Sequence, residues 1–405
     1  MPKMQATGDG NGSTLRYLLN QYPIQSRIIR DLDTRSILNL CRTSSGLRAD
    51  IYSDLWDINK KLGRFFQNPR AFRTELGRAD ALIGGSFALQ FFANKFWPES
   101  DLDINLRDGH GVESLARYLT EVEGYEQARN QELEHWDYEN ISRLQDINRI
   151  ITFTRSGDGG TSCKVQLVAT KHHPVHAILG TYYTSCIVNF ISWNRAFCVF
   201  PRATLLFGET VALTKTTDYE VELHKKYSRR GWRQRSRPID LAKSEKNQNR
   251  LLLRDISPLG MCLSHDRRIG GSDTWTMKLG TAGVARPPQP DSVLEYSSFR
   301  VESFLSEFME EQEINSVRIC IELFKSPSLR YQYTFGRLDP FWSCIGNMLT
   351  ENTRAQLSTK MTQSEAEPIL NEWRLYATEF QKPDGWDYWD DWIPETYERL
   401  EGVWW

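Results

Sequence analysis

The sequence predicts an α+β fold: a mixed sheet flanked by helices, preceded by a helical segment and followed by a second mixed domain. Three observations predict it. Apolar residues recur at three- and four-residue spacing between Leu15 and about Phe66, the period of a helix that buries one face. Residues 79–106, which include "ALIGGSFALQFFANKFWPESDLDINL", read as strand, turn, helix and strand. Two further strand-like runs, "IITFTR" and "CKVQLVAT", flank the turn "SGDGGTS" and read as a hairpin.

Taken in order, residues 1–14 hold Gly, Asn, Ser and Thr with little to bury, and a disordered tail is expected there. Residues 15–66 form the helical segment. Ile24, Ile28, Ile29, Leu32, Ile37, Leu38 and Leu40 carry its period, with a junction at Asp33 or Thr34 that reads as an N-cap. Residues 67–207 form the central unit. Ala81–Ile83 reads as a buried strand, Ser86–Phe96 as a very apolar helix stopped by "WPES", and Asp101–Leu106 as a strand. Helices are expected over "GVESLARYLTEVEGY" and "QELEHWDYENISRLQDINRI". Residues 208–250 read as a basic helical connector. Residues 251–405 read as a C-terminal α+β domain with strands at "TWTMKL" and "SVRICIELF" and a Trp-rich acidic tail.

Charge is nearly balanced at −2 over 405 residues, with 25% charged and 40% hydrophobic, which excludes a polybasic arm and a wholly disordered chain. No apolar run approaches the ~20 residues of a membrane helix and no signal segment opens the chain, so no membrane partner is expected. The seven cysteines are scattered without a C-x-x-C, as expected of free thiols in a reducing compartment, cytoplasmic or nuclear.

The chemistry concentrates in "IGGSF" and "SDLDI". A strand ending in Gly84 and Gly85 can turn sharply and bring its backbone close to a ligand. The helix that follows offers free N–H groups and a partial positive charge to a phosphate, and Ser86 can cap it or donate to a phosphoryl oxygen. On the next strand Asp101 and Asp103 share a face, roughly 6.5 Å apart along the chain, while Leu102 and Ile104 face the core. Two such carboxylates suit a divalent cation; solvated acids on an edge strand are the plainer alternative. Neither G-x-x-x-x-G-K-S/T nor G-x-G-x-x-G after a strand is present.

This order of parts, a Gly-Ser turn before a helix and then an acid-hydrophobic-acid strand, resembles the polymerase-β-like nucleotidyltransferase superfamily over about residues 79–205. The resemblance implies that the turn (Gly84, Gly85, Ser86) holds a nucleoside triphosphate and that Asp101 and Asp103 hold Mg²⁺ or Mn²⁺. It also implies in-line transfer of a nucleotidyl group to an acceptor, RNA or protein among the candidates. The family's third acid belongs on a later strand. Here that strand is "CKVQLVAT", and the matching position holds Gln166, which can ligate weakly but brings no charge. Asp146, Glu139 and Asp158 are the nearest acids in sequence, none at a matching strand position. Two expectations follow: an active nucleotidyltransferase, or an impaired one kept as a binding module.

The N-terminal "YPIQSRIIRDLDTRSILNLCRTSSGLRADI" resembles a short F-box, and its pairing with the central motifs resembles a group of fungal proteins. That implies docking on a Skp1-type adaptor of a ubiquitin ligase; helices that merely cover the sheet are the alternative. In "KKYSRRGWRQRSR", seven cations interleave with Tyr227 and Trp232, so Lys225 and Arg229 are candidates to grip the triphosphate. A solvated face or pairing with acids is the competing reading. His172, His173 and His176 read as polar loop histidines rather than zinc ligands. The tail tryptophans read as anchors to a core.

Overall fold

The computed structural model of the chain describes residues 22–128, 146–156, 162–213, 218–235, 266–304, 316–337, 339–371 and 379–404. The chain is a mixed α/β structure built on one mixed sheet. Its strands are β1 (Leu82–Gly84), β2 (Leu102–Arg107), β3 (Glu126–Gln127), β4 (Ile147–Ser156), β5 (Ser162–Thr170), β6 (Asn189–Ile191), β7 (Arg195–Cys198) and β11 (Trp275–Lys278), in the order β11-β7-β6-β1-β2-β5-β4-β3. Only β2 and β5 run parallel; every other neighbouring pair is antiparallel. The outer strand β11 comes from the region read in sequence as C-terminal, and it pairs with β7 from Trp275↔Cys198 to Lys278↔Arg195.

Gly85–Ala93 forms a helix buried along its whole length, as its apolar character on all sides requires. Phe91 and Phe92 are fully enclosed, each burial contributing roughly 1.5–3 kcal/mol. Leu102 and Ile104 face the core as their alternation demands. The hairpin β4–β5 is antiparallel, as expected. The helix expected over "QELEHWDYENISRLQDINRI" falls mostly at 131–145, outside the described residues; its last residues, Ile147–Ile150, are already strand β4.

Among the described residues five helices precede β1: Tyr22–Asp31, Thr34–Thr43, Ser45–Leu55, Ile58–Leu62 and Pro69–Arg78. Asp33 caps the second, accepting from the Ser36 amide at 2.8 Å. Thr34 instead donates its hydroxyl to the Phe92 carbonyl, and Asn94 donates to the Ile29 carbonyl at 3.3 Å. Ile29, Ile37, Cys41, Leu47 and Ile51 join the same hydrophobic cluster as Ile83, Phe91 and Phe92. The N-terminal helices are therefore a layer of the central core rather than a separate body. The tail expected at 1–14 lies outside the described residues.

After the sheet, β8 (Glu209–Val211) pairs in parallel with β9 (Arg233–Arg235), and the helix Asp218–Arg229 lies between them in sequence. Farther on, β10 (Asp266–Arg268), β12 (Ser298–Phe304) and β13 (Ser316–Cys320) form a three-stranded sheet, and β14 (Glu322–Phe324) pairs with β15 (Tyr333–Phe335). The long helix Pro340–Lys360 packs Trp342 against Tyr333 and Phe324. Trp386 is buried and donates to the Pro327 carbonyl at 3.0 Å, the anchoring role read from the tail. Among the described residues no helix is long and apolar enough to cross a membrane.

Candidate nucleotide and metal site

Register brings the motif together. Gly84 lies opposite Asp103, Asp103 opposite Gln166, and Gln166 opposite Thr152, so one row crosses β1, β2, β5 and β4. Gln166 thus stands beside Asp103 on the neighbouring strand, where its sequence position put it. Its amide lies 3.5 Å from the Thr152 hydroxyl.

The two glycines are dictated by what surrounds them. Gly85 has φ +62°, and a Cβ there would lie 2.2 Å from the Asp103 carboxylate. A Cβ on Gly84 would lie 2.3 Å from the Tyr182 hydroxyl and 2.8 Å from the Asn105 amide nitrogen. The tip of the Gly85–Ala93 helix is thus closely approached by Asp103 on one side and Tyr182 on the other. The Tyr182 hydroxyl interacts with the Gly85 backbone, and burial, then the Asp103 charge, hold its pKa well above the ordinary phenol value.

Ser86 differs from its expected role. Gly84 occupies the N-cap position, and no side chain caps this helix. The buried Ser86 hydroxyl is bonded to the Ser100 hydroxyl instead. Gln90 extends the network, donating to Ser100 Oγ at 3.0 Å and accepting from the Trp97 amide at 2.6 Å. Ser86 therefore ties the first turn of the helix to the loop that delivers Asp101.

Asp101 and Asp103 are both half-buried. Lys164, on β5 and on the same face as Gln166, places its ammonium 2.9 Å from Asp101. Burial pushes the Asp103 carboxyl up to about 6, the Asp101 charge adds to this, and Lys164 and Lys226 oppose it. A raised folded-state pKa means that the native state holds a proton the unfolded chain has released between pH 3.8 and about 6. Stability from this group falls as pH rises through that window. A rise of this size corresponds to ~3 kcal/mol, reduced to about 2 kcal/mol because part of the side chain meets water. Asp103→Asn is expected to be the more stable protein by that amount at pH 7.5 in EDTA, with the gap closing near pH 4. Urea unfolding at the two pH values checks it, and equal midpoints at pH 7.5 would refute it.

The basic run is mostly consumed by acids within the chain. Lys225 is exposed and paired with Glu222 at 2.6 Å, Arg230 with Glu99 at 2.6 Å, and Arg235 and Arg233 with Glu209 at 2.6 and 3.3 Å. Arg229 is exposed. Within the run, Lys226 is the cation whose charge acts on Asp103 and Asp101. Its helix is fixed by buried Tyr227, by Trp232 donating to the Thr204 carbonyl at 2.8 Å, and by Arg230 stacked 3.9 Å from the Trp97 ring. Lys225 and Arg229, the expected phosphate contacts, are both exposed, and Lys225 is paired with Glu222.

Oxygen donors suit Mg²⁺, and Asp101, Asp103 and the Gln166 carbonyl supply them from adjacent strands. Among the described residues no group of three His, Cys, Asp or Glu side chains could hold a metal ion. The set offers an ion at most two carboxylates and one amide oxygen. Asp146 is engaged elsewhere, with His176 at 2.8 Å and His172 at 3.7 Å, and Glu139 and Asp158 lie outside the described residues. His173 is buried beside them and starts the helix Pro174–Thr181, with burial lowering its pKa to about 4. Sequence reasoning missed Asn105 and Tyr182 and left Lys164 without a role. Asn105 and Lys164 were within reach of the period-two rule, since each lies two residues from a named site residue. No protein-family model matches this chain, and no curated protein or solved structure does.

Proposed function

We propose that the protein is a nucleotidyltransferase-type module that binds a nucleoside triphosphate with one Mg²⁺ and is impaired in transferring the nucleotidyl group. The carrying observation is the row Gly84, Asp103 and Gln166 across three adjacent strands, with Asp101 beside it. Phosphoryl transfer of this kind rests on metal electrostatics and on positioning. With glutamine in place of a third carboxylate, the site keeps enough charge to bind one metal-nucleotide but lacks the anionic ligand that a second ion needs. Asp101 and Asp103 would hold the ion. The backbone at Gly84 and Gly85 and the Lys226 ammonium would face the phosphates.

Thermal unfolding with each of the four NTPs, with and without Mg²⁺, tests binding. At a hundredfold excess over Kd a ligand stabilises by about 2.7 kcal/mol, so a rise in Tm is expected with Mg²⁺ and its loss in Asp101→Ala. Transfer of label from α-labelled NTP is expected to be near background in the natural protein and to rise in Gln166→Asp. Strong transfer by the natural protein would remove the impaired reading. No shift with any NTP would remove the nucleotide reading altogether.

A further inference from the structure

The acid pair already has a cation. Asp101 follows Ser100 in the loop that Gln90 and Ser86 secure, and Asp103 sits one residue into β2, so the two carboxylates stand two residues apart on one face. Like charges so placed repel unless something of opposite sign offsets them. β5 runs parallel to β2 with Leu102 beside Val165 and Asp103 beside Gln166, which leaves Lys164 next to Asp101. The ammonium lies 2.9 Å from Asp101 Oδ2, an oxygen that a shared divalent ion would also use. The charge of Lys226, from the Asp218–Arg229 helix, also acts on both acids, while Arg230, just past the end of that helix, is occupied by Glu99.

We infer that Lys164, backed by Lys226, is a built-in counter-ion for Asp101 and Asp103, and that a divalent ion enters this site only in exchange for the Lys164 ammonium. The inference rests on reading the acid pair as a metal site. Two physical consequences follow. The metal-free protein keeps Asp101 in place without a bound ion, because the Lys164 ammonium already offsets its charge. An arriving divalent cation meets both an occupied oxygen and a repelling ammonium, which weakens its affinity. The displaced side chain, 38% exposed, has solvent to move into, and from β5 it can turn toward a phosphate. The exchange couples metal arrival to the release of a phosphate-binding cation, favouring the metal-nucleotide complex over the free metal.

The test uses the full chain and Mn²⁺ alone, titrated by electron paramagnetic resonance without nucleotide. Wild type is expected to bind weakly, Lys164→Met at least tenfold more tightly, and Lys164→Arg, which keeps the charge, like wild type. Adding Asp101→Asn to Lys164→Met is expected to abolish the gain, and melting curves confirm that each variant is folded. Equal affinity of wild type and Lys164→Met overturns the inference. If both bind tightly, the metal reading of the site survives; if neither binds, that reading falls with it.

Discussion

Gly85→Ala is expected to destabilise the fold by about 3 kcal/mol and to remove any nucleotide-induced rise in Tm. Two costs combine. At φ +62° an L-residue with a Cβ is strained by ~1–2 kcal/mol. The new methyl would also lie 2.2 Å from Asp103 Oδ2 and 3.2 Å from its Cγ, so the carboxyl must rotate out of its crevice. Such overpacking costs ~1–3 kcal/mol. The two costs can be separated. In an Asp103→Ala background the steric part disappears and only the backbone strain is left, so a double-mutant cycle is expected to show coupling of about 1–2 kcal/mol. Urea unfolding of the four proteins measures it. A Gly85→Ala protein as stable as wild type would mean that the helix tip and the acid are not in contact, and the site built on their contact would be lost.

Much of that site was legible because its parts obey short-range rules. Two glycines before an apolar helix mark a tight turn, and acids at alternate positions on a strand must share a face. Even the Gln166 slot follows from counting along β5. What the sequence concealed depends on partners far along the chain. Ser86 reads as a cap or a phosphate donor until Ser100 is seen to claim its hydroxyl. Lys225, Lys226, Arg229 and Arg230 are equivalent in a charge run. Their surroundings distinguish them: the charge of Lys226 acts on the acids, while Lys225 meets Glu222 and Arg230 meets Glu99. Strand β11 lies beyond a polar stretch and a second Gly-Gly-Ser turn, and nothing local says that it returns to edge the central sheet beside β7. The same limit applies at the N-terminus, where the helical period shows that Ile37 is covered but not by what.

Ile37→Asp is expected to cost about 5 kcal/mol, enough to unfold the N-terminal helices and loosen the central domain. Ile37 is 0% exposed and belongs to the cluster that holds Ile83, Phe91 and Phe92. Removing its side chain forfeits ~2–3 kcal/mol of burial, and a carboxylate left in that cluster without a partner costs several kcal/mol more unless it takes up a proton. Ile28, 39% exposed on the preceding helix, provides the contrast. Ile28→Asp is expected to change stability by no more than about 0.5 kcal/mol. The pair separates two roles for the F-box-like helices. A face that docks on an adaptor has to be open in the free protein, whereas the face carrying Ile37 is spent on the core. Loss of a Skp1-type adaptor in Ile37→Asp would therefore report unfolding, and only loss in a stably folded Ile28→Asp or Ile24→Asp would report docking. Differential scanning calorimetry with limited proteolysis distinguishes the outcomes. If Ile37→Asp melts like wild type, these helices are not packed on the sheet, and their apolar face is free to bind the adaptor.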